Sequence, residues 1–210
     1  MSASDLRARV LAAVQREPSP PRAVVVAAEL RRMGLALLVT FGVFVSVRGV
    51  RVGDRPLSLL AITALGAAAI TLVVGGVALT RGRSMLGRSR TLLWSIAVAT
   101  PIALLAWKLT WTARFDVLGP MRVGVKCLGL SLAMAASPMF VMLAGRVRSD
   151  PLHPAATGAA VGAAFGAMAW VLVDLWCPVG YLRHLLIGHV LPLALIIIAG
   201  ALLGRRHLRV

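Results

Sequence analysis

The chain has 210 residues, 59% of them hydrophobic, with mean hydropathy +0.88 and a formal charge of +16. That apolar content excludes an ordinary soluble domain. The charge needs no nucleic acid to explain it, because most of the arginines flank apolar blocks, where they set topology and attract anionic headgroups. No direct contact with DNA or RNA is expected.

Residues 1–32 are the one stretch able to form an element in water, and they read as a cytoplasmic N-terminal segment. Ser2 and Asp5 fit the opening of a helix that runs to about Arg16. Leu6, Val10, Leu11 and Val14 fall on one face of it, with Arg7, Arg9 and Arg16 elsewhere. Pro18, Pro20 and Pro21 end that helix, and a second run from Arg22 leads into the first span. A lone helix of three to four turns is marginal in water unless its apolar stripe is covered. The membrane surface would cover it, and so would a partner protein that receives the helix in a groove.

Six apolar blocks follow, at about 33–47, 57–80, 91–107, 123–145, 155–173 and 185–204. A helix needs roughly 20 residues to cross the hydrocarbon. The first block is short, but Arg32 and Arg48 can extend it by snorkelling. The expected fold is therefore all-α and polytopic: a domain over 33–210 with six transmembrane helices. Continuous apolar runs exclude the alternating pattern of a membrane barrel. Counting arginine and lysine in the short segments gives 15 on the side of the two termini and eight on the other. Both termini are expected to be cytoplasmic.

None of the seven acids falls in the middle of a block, which weakens a proton- or ion-coupled transporter. A small transporter or channel without such charges is the competing reading. The chain also lacks H-E-x-x-H, G-x-S-x-G and C-x-x-C, so it is not expected to be an enzyme. Gly158, Gly162 and Gly166 form two consecutive G-x-x-x-G steps in the fifth block. They read as a close helix-packing stripe, with the fourth block as partner. Pro101, Pro138 and Pro192 are expected to kink their spans. Trp107, Trp111, Trp176 and Tyr181 are expected to form an outer aromatic belt.

The only thiols are Cys127, which starts the fourth block, and Cys177, which ends the fifth. A short inner loop joins these blocks, so they run antiparallel. A 1.5 Å rise places both thiols at the outer face, at a common depth to within about a turn. His184 and His189 open the sixth block on that side. Two thiolates and two imidazoles would suit zinc or a similar ion, and an oxidising periplasm would permit a disulfide. Cys127, Cys177, His184 and His189 are thus a candidate metal set, and a transient ion is the one candidate cofactor. Lys126 would lower the thiol pKa of its neighbour. The bland alternative makes both cysteines small buried hydrophobes. His153 reads as a turn or capping residue.

The second half of the chain resembles the NrsF-type membrane anti-sigma factors. The resemblance is carried by His153-Pro154, the glycine stripe, Trp176-Cys177-Pro178 and the ending Leu202-Leu203-Gly204-Arg205-Arg206. Cys127 resembles the family's other cysteine. Residues 120–210 match well, and the first half agrees in layout. The resemblance implies a multi-pass protein of the bacterial inner membrane whose N-terminal segment holds an extracytoplasmic-function sigma factor. It also implies that metal or oxidant, acting through Cys127 and Cys177, releases that partner.

Overall fold

A computed structural model describes Asp5 and residues 22–47, 49–50, 55–79, 88–115, 123–146 and 152–208. The expected tail stripe of Leu6, Val10, Leu11 and Val14 lies outside these residues. All regular structure among the described residues is helical: α1 (Arg22–Ser46), α2 (Leu57–Leu79), α3 (Arg90–Phe115), α4 (Val125–Ala144), α5 (Pro154–Trp176) and α6 (Leu182–His207). Five of these, α2 to α6, are long and apolar enough to cross a membrane. The first expected block falls inside α1, which is not among the five and carries Glu29, Arg31 and Arg32 in its first half. Leu35, Leu38 and Phe41 on α1 are exposed, as are Leu65 and Leu72 on α2.

Composition decides which helix sits in the middle. Along α5, alanine and glycine occur on every side, so neighbours can approach from any direction. Its apolar window is 78% buried, against 28–44% in the other four. Helices α2, α3, α4 and α6 all pack on it, while α1 packs chiefly on α4.

The closest approach is between α5 and α6, which corrects the expectation that the glycine stripe faces the fourth block. A methyl group on Gly158 would fall on the carbonyl oxygen of Gly200, and one on Gly162 would lie 2.6 Å from the carbonyl oxygen of Ile196. Helix α6 supplies matching glycines at 200 and 204, so both backbones take part.

Helix ends that stop inside a bundle leave carbonyls without partners. Three arginines from other elements donate to them. Arg32 of α1 donates to Gly145 O at 2.9 Å, just past the end of α4. Arg55 donates to Asp174 O and Leu175 O at 2.9 and 3.0 Å, at the end of α5. Arg146 donates to Ala78 O and Leu79 O, at the end of α2. Each brings positive charge to the negative end of a helix dipole.

The third span is longer than its apolar block. Helix α3 continues beyond Trp107 to Phe115, which places Lys108 inside a helix rather than in a loop. There its ammonium lies 2.6 Å from Asp174 Oδ1 of α5, with both side chains buried. The interfacial tryptophans also turn inward: Trp107 Nε1 donates to Ile62 O at 3.3 Å and Trp176 Nε1 to Val47 O at 3.1 Å.

Candidate functional site

Cys127, Cys177, His184 and His189 converge, their ligand atoms all within 4.8 Å of one another and all four residues buried. Each arrives from a different local structure. Cys127 lies in the first turn of α4, after Gly124, whose φ of +90° lies in the left-handed region. Cys177 follows the last residue of α5, where the chain turns extended. His184 opens α6. His189 sits in a π turn, Leu186–Val190, in the same helix.

The π turn has a visible cause. Pro192 lacks an N–H and its ring crowds the carbonyl four residues before it, which is Gly188. One extra residue in the turn relieves that conflict. The released Gly188 carbonyl accepts a hydrogen bond from Ser131 Oγ of α4 at 3.4 Å. In a regular α-helix, residues five apart point about 140° away from each other. Widening the turn brings them back to one side, and the rings of His184 and His189 lie 5.7 Å apart between centroids.

Two glycines allow α4 to come close enough. A methyl group on Gly188 would lie 3.0 Å from Cys127 Cβ, and one on Gly124 would lie 3.0 Å from His184 O. Larger residues at either position would push Cys127 away from the imidazoles.

His184 Nε2 lies 3.4 Å from Cys127 Sγ and 3.1 Å from Cys177 Sγ, so a single nitrogen bridges the two thiols. Hydrogen bonding from Cys127, and then from His184, pulls the Cys177 thiol below its ordinary range against the opposing effect of burial. That favours the thiolate, which is both the nucleophile and the metal ligand. Lys126, expected to perform this tuning, is exposed while Cys127 is buried, so the two neighbours face different ways. Both cysteines also belong to the buried apolar core around α4 and α5. Neither takes part in a disulfide.

His189 is 2% exposed; neither ring nitrogen has a partner at hydrogen-bonding distance, but the ring is close enough to the Cys177 thiol to help lower its pKa. Its ring stands edge-on to Trp170, with centroids 5.1 Å apart. The donor set is two sulfurs and two imidazole nitrogens, which fits a tetrahedral borderline cation of the zinc kind better than a hard oxygen-seeking one. The same pair of thiols is close enough to be a candidate for oxidation.

Sequence reasoning missed the groups behind this site. Asp174 stands one turn before Cys177 and pairs with Lys108, and Arg55 holds the carbonyls at the same helix end. In the sequence Lys108 and Arg55 read only as two of the eight positive charges on the side away from the termini. His153, expected to cap or turn, is the N-cap residue of α5 but makes no side-chain capping bond there. Gly158, Gly162 and Gly166 lie on α5 away from the thiols, against α6.

A family model described as negative regulator of sigma F matches residues 11–210. No curated protein and no solved structure matches the chain. The chain therefore belongs to the negative regulator of sigma F family, whose description implies a regulator with a sigma factor as partner.

Proposed function

We propose that this member of the family is a six-span anti-sigma factor of the bacterial inner membrane, with both termini in the cytoplasm. Residues 1–32 hold an extracytoplasmic-function sigma factor through Leu6, Val10, Leu11 and Val14. Release follows when oxidant or metal acts on Cys127 and Cys177. Family membership over residues 11–210 is the observation that carries the reading. The exposed apolar side chains of α1 support its service as the sixth span.

The arrangement of helices supports a route from thiols to tail. Cys127 lies in the first turn of α4, and the middle and far end of α4 hold α1, whose first turns overlap the tail. Thr40 Oγ1 donates to Met134 O at 3.1 Å and Arg32 donates to Gly145 O. Moving Cys127 relative to Cys177 moves α4 against α5, and α1 moves with α4. The signal must favour one packing over the other; a near-complete swing needs a difference of about 5.5 kcal/mol.

The test is co-purification of the tagged full-length protein from its native cell, followed by mass spectrometry. A sigma factor should be recovered from unstressed cells and lost after oxidant or soft-metal treatment. The Cys127→Ser/Cys177→Ser variant should retain it under both. Recovery of no sigma factor refutes the reading. The competing transporter or channel would have the buried Lys108–Asp174 pair as its working charges, and solute flux in reconstituted vesicles would favour it.

A further inference from the structure

We propose that Cys127, Cys177, His184 and His189 together hold one divalent zinc-class ion in a tetrahedral two-sulfur, two-nitrogen site. The proposal rests on the sensor reading for its physiological meaning and names the ligand of that same site.

The decisive residue is His189. A buried imidazole whose nearest polar neighbours are two thiols has lost water without a well-placed replacement, and such a group in a native protein calls for an explanation, an ion being one. A disulfide between Cys127 and Cys177 gives His189 nothing. A metal ion uses one of its nitrogens, in the place beside the thiols where the π turn already puts the ring.

The distances agree with this. A tetrahedral ion with bonds of ~2.3 Å to sulfur and ~2.0 Å to nitrogen has sulfur-to-nitrogen edges of about 3.5 Å. Those around His184 Nε2 are 3.4 and 3.1 Å. The other donors need a small inward adjustment from separations that nowhere exceed 4.8 Å.

Charge agrees as well. The ion displaces two thiol protons to solvent, and two thiolates then balance a divalent cation. The site as a whole is neutral, which spares it the cost of burying net charge.

The test uses the full-length chain purified in detergent under reducing conditions, with no sigma factor present. Metal analysis should find about one zinc ion per chain. After zinc removal, cobalt(II) should give the absorption of a tetrahedral thiolate site. His189→Ala should weaken zinc by more than about tenfold, and His189→Cys, which restores a donor, should recover it. Oxidant-driven coupling of the two thiols should survive in His189→Ala. If that variant does not fold, Cys177→Ser should weaken the thiolate-to-cobalt band while leaving a cobalt spectrum. Absence of both zinc and a cobalt spectrum overturns the proposal, as does wild-type affinity in His189→Ala. Neither result touches recovery of a sigma factor from cells, so this inference and the anti-sigma reading fail separately.

Discussion

Replacing Lys108 by methionine should destabilise the protein far more than replacing Lys108 and Asp174 together. The ion pair is 2.6 Å long, between side chains 4% and 2% exposed. At an effective dielectric of about 20, its attraction is about 6 kcal/mol, most of which offsets the cost of taking two charges out of water. Lys108→Met keeps the aliphatic stem but leaves a buried carboxylate without its contact partner, with only the Arg55 guanidinium nearby. Neither oxygen of Asp174 has a hydrogen-bond partner to compensate, so the expected loss is about 3–5 kcal/mol. The double variant Lys108→Met/Asp174→Leu removes both charges and should recover most of it. Unfolding in detergent, followed by the fluorescence of the five tryptophans, gives the double-mutant cycle directly. A single variant within about 0.5 kcal/mol of wild type refutes the reasoning, as does a double variant no more stable than the single.

Gly162→Ala puts a methyl group 2.6 Å from the carbonyl oxygen of Ile196, where backbone must yield. It should cost about 1–3 kcal/mol in the same unfolding assay. Gly145→Ala meets only the flexible Arg32 side chain, at 2.5 Å from Cδ. It should therefore change stability by no more than about 1 kcal/mol while breaking the Arg32 to Gly145 bond. On the proposed route it should release the sigma factor without stress, read as constitutive expression of a sigma-dependent reporter. Silence of that reporter in unstressed cells would remove the bond from the route.

The helices were legible because run length and hydropathy report directly on membrane burial. The common depth of the thiols was legible because the helical rise is fixed. Their facing was not. It depends on Gly124 and Gly188 at a close contact and on the π turn before Pro192, and no hydrophobic period encodes either. The pair His184 and His189, five apart, looks wrong for ligands on an α-helix and becomes right only when the turn widens. Lys108 lies just past the block 91–107 and so reads as loop; the helix runs on through it, and Asp174 pairs with it there. The stripe at Gly158 and Gly162 was assigned to the wrong neighbour although a signal was present. Gly200 and Gly204, also four apart, mark the last block as the surface that can come equally close. Arg55 and Arg146 enter the sequence reading only through the topology count, and burial turns both to capping helix ends.

The π turn also sets the angular phase of one helix between two clients. An added residue turns everything beyond it by about 100° relative to an unbroken helix. The part before it therefore presents His184 to the thiols, while the part after it presents Gly200 and Gly204 to α5. Deleting one residue there would force a choice, since a regular helix can satisfy the thiol end or the glycine seam but not both. Where the chain is cut or lengthened between Leu185 and Leu191 thus decides whether the thiol cluster and bundle assembly stay in register.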